Sequence, residues 1–380
     1  MRPLPISSTE LQARIARAQR LMRDYNLDAL LLPAGTSLRY FTGVRWSLSE
    51  RLLAAVLPAE GPPRFVAPAF EEPKVRQLVS IGDEVRVWQE DESPFEVVAG
   101  LLSDLNAKRV GLEETTPYAF VRGLAAAAPS IEWADAVPVV SGCRMHKSAA
   151  EIEIIRYAMN LTLDVHRQTH QSLRPGVRTT DIAGEIDRLH RAAGADDGST
   201  FCIVAFGPST AFPHGPDGVQ SLAEGDTVLV DTGCTVHGYH ADMTRTYVFG
   251  DPSARQREVW NIEREAQQAA FAVIQPGVPC SAVDDAARAV LTRHGLGPDY
   301  RTPGLPHRTG HGLGMDIHER PYMVRGNNLP LAPGMVGSIE PMICVYGELG
   351  VRLEDHFYVT DSGAVWFTQP SPAIDSPFGA

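Results

Sequence analysis

Two stretches of this chain repeat each other, and each is followed by a pair of acidic residues. The segment from Leu173 to Gly194 aligns with Ile274 to Gly295 at one constant offset, pairing Pro175-Gly176-Val177 with Pro276-Gly277-Val278 and keeping the closing glycine of each. Farther along, Leu222-Ala223-x-Gly225 leading to Val230-Asp231 pairs with Leu331-Ala332-x-Gly334 leading to Ile339-Glu340, again at one offset. Two matches in the same order, each followed by a second acid (Asp242 and Glu354), are the mark of a duplicated unit. Asp231 and Glu340 then hold equivalent places, and the fold must offer two similar halves.

At 380 residues and 44% apolar content the chain has the length for two domains and the composition of an ordinary globular protein. A net charge of -12, with no cluster of Lys and Arg, argues against binding nucleic acid. The five cysteines are odd in number, scattered and free of CxxC spacing, so a reducing compartment is the simplest inference. Neither a signal-peptide pattern nor an apolar run long enough to span a membrane is visible, and a soluble, cytoplasmic protein without membrane partners is expected.

Ser7 with Glu10 has the form of a capping box, and Leu11, Ile15, Ala18 and Met22 follow at helical spacing. Apolar runs at Ala29–Leu32, Leu52–Leu57, Arg64–Pro68, Val85–Trp88 and Val110–Glu113 then alternate with helical stretches near 70–80, 94–106 and 117–128. That rhythm predicts a small α/β domain over residues 1–145. Beyond it, Ser148 to Leu173 predicts one long helix stopped by Pro175-Gly176. Each half of the second domain, residues 146–370, reads as helices followed by paired strands, an α+β arrangement, with 371–380 as a tail.

Thr227–Val236 and Tyr239–Phe249 are strand-like around a His237-Gly238 turn. If those two residues form the turn, Asp242 faces Gly233 and Asp231 is its diagonal neighbour on the same face; a three-residue loop would put the two acids on opposite faces unless a bulge intervened. Two adjacent carboxylates without a cation repel, and a bound metal resolves the repulsion. In the second half, Val336–Glu340 and Val351–Val359 are expected strands bearing Glu340 and Glu354, and His311 lies in Thr309-Gly310-His311-Gly312-Leu313-Gly314. Four acids and one imidazole suit two divalent ions, manganese before cobalt, iron or zinc, bridged by carboxylates and a water.

Three more histidines flank these segments and are placed to polarise a substrate carbonyl and stabilise an oxyanion: His214, His307 and His318. Arg352 shares a face with Glu354 and is a candidate to hold a ligating carboxylate in place, whereas Asp355 points the other way and reads as structural. His146, His166, His170, His190, His294 and His356 read as solvated or packing residues. His237 is assigned to the turn, and His240 to a strand position pointing away from Asp242.

Val230-Asp231-x-Gly233, Ala241-Asp242-Met243-Thr244-Arg245-Thr246, His307-Arg308-Thr309-Gly310-His311-Gly312-Leu313-Gly314, His318-Glu319, Ile339-Glu340-Pro341 and Val351-Arg352-Leu353-Glu354-Asp355 together resemble the pita-bread metallopeptidases. The resemblance covers nearly the whole chain, including a creatinase-like N-terminal domain, and is nearest to Xaa-Pro dipeptidases (prolidases) and aminopeptidase P. It implies that Asp231 chelates one metal, that His311 and Glu340 hold the other, and that Asp242 and Glu354 bridge the pair. It further implies that Glu340 is general base toward a metal-bridging hydroxide, that His214, His307 and His318 serve the substrate, and that Arg352 supports the ligands.

The implied activity is hydrolysis of the bond before proline in Xaa-Pro dipeptides. Aminopeptidase P action on longer peptides is the alternative, followed by a non-catalytic binding protein and by a hydrolase of other amides or esters. A homodimer, with a partner's N-terminal domain closing the cleft, is the family's usual form. Two departures stand out. Cys344 occupies a place where the family commonly has tyrosine, with Tyr346 nearby, and Tyr322 stands near the place where prolidases often carry a carboxylate-binding arginine, with Arg325 three residues on.

Overall fold

Ser7 Oγ accepts the Glu10 amide at 3.2 Å and starts helix α1 (Ser8–Asp24), whose buried face is Leu11, Ile15, Ala18 and Met22. The structure, a computed structural model, describes residues 2–379. It divides into two compact units, one formed by Ile6–Arg144 and the other by the chain from Met145 on together with the residues before Ile6.

In the first unit α1 is followed by β1 (Ala29–Pro33), α2 (Thr36–Thr42), β2 (Ala54–Pro58), β3 (Arg64–Pro68), α3 (Glu72–Leu78), β4 (Val85–Trp88), α4 (Pro94–Asp104), β5 (Arg109–Leu112), α5 (Tyr118–Ala127), β6 (Glu132–Asp135) and α6 (Val137–Arg144). The six strands form one sheet in the order β4-β3-β2-β1-β5-β6. Its central strands β1 and β2 are buried along their whole length, which is why they read as continuous apolar runs rather than alternating ones. The expected α/β rhythm is present. The short α2, β6 and α6 are additions that the apolar pattern did not mark.

The second unit opens on α7 (Ala149–Ser172), where Ser148 and Glu151 cap each other reciprocally. Its first half continues with α8 (Thr179–Ala192), β7 (Ser199–Phe206), β8 (Thr227–Val236), β9 (Tyr239–His240) and β10 (Met243–Val248). Its second half comprises α9 (Ala254–Ala272), α10 (Cys280–Arg293), β11 (Gly310–Gly312), β12 (Glu319–Met323), β13 (Val336–Ile339), β14 (Met342–Val345), β15 (Leu349–Arg352), β16 (Asp355–Thr360) and β17 (Gly363–Trp366). Helices precede paired strands in each half, so the unit is α+β. Among the described residues no helix is long and apolar enough to cross a membrane.

Several main-chain contacts repeat in equivalent places of the two halves. The Gly176 amide donates to the Leu222 carbonyl and the Gly277 amide to the Leu331 carbonyl, both at 2.8 Å. Isolated bridges join Arg178 to Ser221 and, in the matching place, Pro279 to Pro330. The Gly225 amide meets the Phe249 carbonyl as the Gly334 amide meets the Val359 carbonyl. Gly176 and Gly277 have φ of 78° and 90°, values open to glycine and costly for a residue with a Cβ. That requirement explains why these glycines stand out in the aligned segments.

Two expected strands are interrupted, and each interruption falls on an acid. The pairings His240↔Thr235 and Met243↔Thr232 share one register, so Asp242 does lie opposite Gly233, but Ala241-Asp242 leaves the ladder between β9 and β10. Likewise Val351–Val359 is not one strand, because Leu353-Glu354 separates β15 from β16. Beside the first break the His240 amide donates to the Gly314 carbonyl of the other half at 2.8 Å while the Ala241 amide keeps the Cys234 carbonyl of its own half at 2.8 Å, and at the second break the Glu354 amide donates across to the Thr244 carbonyl at 3.1 Å. Exchange of main-chain bonds between halves lets the chain turn its acid inward without stranding polar groups.

Candidate metal centre and active site

Asp231 sits within β8, His311 in the middle of β11, Glu340 directly after β13, and Asp242 and Glu354 at the two strand breaks. Three of the acids meet at the imidazole. His311 Nε2 lies 3.1 Å from Glu340 Oε1, 3.6 Å from Asp242 Oδ2 and 3.9 Å from Glu354 Oε1. Its other nitrogen, Nδ1, is 3.0 Å from the Gly312 carbonyl, a contact that places the proton on Nδ1 and leaves Nε2 as the electron-pair donor toward the acids.

The glycines around this point have a direct steric cause. A Cβ on Gly310 would stand 2.0 Å from the Ser338 carbonyl oxygen, and one on Gly233 would stand 1.9 Å from that of Ala241. Backbones therefore approach closely enough to bring the acid-bearing strands together. Ser338 Oγ accepts the His311 amide at 2.9 Å and lies 3.3 Å from Glu340 Oε1, fixing the imidazole and the carboxylate to one another.

Arg352 is the main support. Its Nη2 is ion-paired with Asp231 Oδ2, its Nε donates to Thr244 Oγ1 at 3.0 Å, and its Nη1 donates to the Pro213 carbonyl at 2.9 Å. The last bond anchors the loop that carries His214. Thr244 Oγ1 in turn donates to Glu354 Oε2 at 2.8 Å. Asp355, facing away, pairs with Arg245 at 2.7 Å in a fully buried bridge, a structural arrangement.

Burial pushes the Asp242 and Glu354 carboxyls well above the usual carboxylate range, and their acidic neighbours push the same way. Asp231 is also raised by burial, against the opposing charge of Arg352. For Glu340 burial acts in the same sense, but the charge and hydrogen bond of His311, with His307 and Arg352, outweigh it and hold this carboxyl low. Asp231 Oδ1 and Glu354 Oε1 are buried with no hydrogen-bond partner in the chain. Buried carboxylate oxygens without partners, together with an imidazole nitrogen, are the donor set that hard or borderline divalent cations take up.

Over this cluster opens a cavity of about 540 Å³ lined by Pro213, His214, Pro306, His307, Arg308, His311, His318, Glu340, Tyr346 and Arg352. His214, His307 and His318 thus face one space. The His318 ring stands 4.2 Å from that of His311, at 69°. Burial, then the charges of His311 and Arg308, lower its pKa to about 4. His307 is lowered by burial as well; its Nδ1 lies 2.7 Å from the Arg308 carbonyl and its Nε2 has no partner in the chain.

Three further positions, one read from the sequence as packing or solvated and two left open there, are placed by the structure. His356, assigned to packing or solvent, is fully buried and groups with Asp242, His311 and Glu354 so that one donor atom of each lies within 4.8 Å of the others. Neither of its ring nitrogens has a hydrogen-bond partner that satisfies normal geometry. Strand alternation carried the signal, since His356 is two residues after Glu354. Arg325 is absent from the cavity lining and pairs with Asp299 at 2.5 Å. Cys344 is buried, its thiol pushed by burial up to about 12, while Tyr346 reaches the cavity and packs on Phe212 at 5.4 Å.

Residues 153–361 match metallopeptidase family M24, and residues 14–146 match the creatinase/prolidase N-terminal domain. The chain is 38% identical over 355 residues to a protein of Mycobacterium tuberculosis named probable dipeptidase PepE, covering 93% of this chain and 92% of that one. It is 31% identical to the Xaa-Pro dipeptidase of Lactobacillus helveticus, covering 93% and 95%. The crystal structure of dipeptidase PepE from Mycobacterium ulcerans superposes with a TM-score of 0.89 at 35% identity, covering 98% of this chain and 100% of that one. The chain belongs to metallopeptidase family M24, with the pita-bread catalytic fold behind a creatinase-type N-terminal domain.

Proposed function

We propose that the protein hydrolyses the peptide bond preceding proline, in Xaa-Pro dipeptides, with two divalent cations held by Asp231, Asp242, His311, Glu340 and Glu354. Asp231 would chelate one cation, His311 and Glu340 the other, with Asp242 and Glu354 between them. When bound, such a pair supplies Lewis acidity toward the carbonyl and lowers the pKa of water into the neutral range. Manganese fits a donor set dominated by carboxylates.

The chain's own groups divide the remaining work. Glu340, whose Oε1 lies 3.1 Å from His311 Nε2, takes a proton from the attacking water as its oxygen adds to the carbonyl carbon. It then returns that proton to the proline nitrogen as the C–N bond breaks. His318, kept neutral by burial, and His214 donate hydrogen bonds toward the oxyanion of the tetrahedral intermediate. His307 faces the same space. Arg352 keeps Asp231 oriented.

A bond before proline is a tertiary amide with no N–H to donate. A cavity that relies on histidines and on cations below them does not need that donor. What carries the reading is the convergence of three acids, Asp242, Glu340 and Glu354, on His311 Nε2 beneath a histidine-lined cavity. Turnover of an Xaa-Pro dipeptide against an Xaa-Pro-Yaa tripeptide, with manganese added, tests it. Dipeptide hydrolysis is expected; activity on the tripeptide alone would replace the reading with aminopeptidase P.

A further inference from the structure

A dipeptide differs from the start of a longer peptide in one charged group, the free carboxylate on its second residue. Two guanidinium groups line the cavity, Arg308 and Arg352. Arg352 is committed to Asp231, Thr244 and the Pro213 carbonyl. Arg325, the other arginine of this region, is spent on Asp299.

Arg308 is placed differently. Its guanidinium carbon lies 4.4 Å from the centre of the Tyr322 ring, and among the described residues its side chain meets no carboxylate and no hydrogen-bond acceptor. Stacking on an aromatic face holds the guanidinium plane but leaves its N–H edge free. Both partners of the stack are fixed relative to the acid cluster. Tyr322 is the cross-strand partner of His311, and its carbonyl accepts from Asn327 Nδ2 at 2.7 Å. On the other side, the residue after Arg308 is tied down by Asp284 Oδ1, which accepts from both the Thr309 amide and its hydroxyl. The result is an oriented cation with a free donor edge at the wall of the cavity, the geometry that recognises a carboxylate by two parallel hydrogen bonds.

Resting on the dipeptidase reading above, we propose that Arg308, clamped on Tyr322, binds the free α-carboxylate of the dipeptide and sets the preference for dipeptides over longer peptides. The anchor touches substrate without taking part in bond breaking. Losing it should therefore raise KM more than it lowers kcat.

The test compares the manganese-loaded wild type with Arg308→Met and Arg308→Lys on an Xaa-Pro dipeptide and on the same dipeptide as its C-terminal amide. Metal content is measured in each sample, and calorimetry follows binding of proline and of prolinamide. Wild type should favour the free acid. Arg308→Met should lower kcat/KM on the acid by about 100-fold, mostly through KM, and leave the amide within about twofold, with metal content unchanged. Arg308→Lys should recover part of the preference. Equal losses on acid and amide, or an acid preference that survives in Arg308→Met, would overturn the proposal. If the wild type cleaves neither compound yet prefers proline over prolinamide through Arg308, the peptidase reading falls and the anchor stands; equal binding of the two ligands sinks the anchor itself.

Discussion

The guanidinium of Arg352, at the end of β15, is ion-paired with the carboxylate of Asp231 on β8, so an arginine from the second half of the catalytic unit holds an acid of the first. Its bond to Thr244, which donates to Glu354, extends the same support to an acid of the second half. Replacement by methionine keeps most of the volume and removes the orienting charge. Arg352→Met is expected to weaken divalent-metal binding by about 10- to 100-fold, and Arg352→Lys to rescue it poorly because a lysine cannot span Asp231 and Thr244 with a planar fork. Titration of the metal-free protein with manganese measures it; unchanged affinity in Arg352→Met would remove Arg352 from the support of the site.

Asp242 and Glu354 carry carboxyls raised well above the ordinary range by burial and then by neighbouring acids. For a group whose folded pKa is raised, the stability it contributes is full below its unfolded pKa and is lost as pH rises through the folded value. The metal-free protein should therefore lose stability as the pH climbs and these acids are forced to ionise together. Bound cations compensate that charge and bind the folded state. Melting curves of metal-loaded and chelator-treated protein should separate increasingly from pH 5 to pH 8; a separation that shrinks over that range would contradict the assignment.

Gly233 tests the close approach that shapes the first strand break. A Cβ there would meet the Ala241 carbonyl oxygen at 1.9 Å, a distance that only backbone displacement relieves. Gly233→Ala should cost about 2 kcal/mol or more and loosen metal binding, because Asp242 rides on the displaced segment. Gly184, in α8 with nothing near a built Cβ, is the control: Gly184→Ala should leave stability unchanged or improve it by about 0.5–1 kcal/mol. Equal behaviour of the two variants in denaturant melts would refute the role given to Gly233.

His356 is fully buried beside Asp242, His311 and Glu354 with both ring nitrogens unsatisfied. Removing an unsatisfied polar ring from a purely structural position should stabilise the protein or leave it unchanged. If the ring serves the cations, His356→Leu should instead lower metal retention and change the visible absorption of the cobalt-substituted protein. Identical cobalt spectra and retention in the variant would reduce His356 to packing.

The halves, the register and the four acids and one imidazole were legible because they leave period and spacing in the chain. Paired glycines at Gly176 and Gly277 mark a backbone requirement, and Asp242 is placed opposite Gly233 by a two-residue turn at His237-Gly238. The strand breaks were not legible: Ala241 and Leu353 continue the apolar pattern, and the bonds to the other half at His240 and Glu354 leave no local spacing in the chain. His356 was within reach through its parity with Glu354. Arg308 was not, since its position depends on stacking against Tyr322 from a neighbouring strand, a contact with no local spacing to announce it.

The central claim is that Asp231, Asp242, His311, Glu340 and Glu354 hold the cations on which hydrolysis depends. Chelator-treated protein should be reconstituted with manganese and assayed for metal per chain and for Xaa-Pro hydrolysis, alongside Glu354→Ala. About two ions per chain, with activity that returns as they bind and with both lost together in the variant, is the expected result. Full hydrolysis by metal-free protein, or a Glu354→Ala variant that keeps both ions and activity, would contradict it.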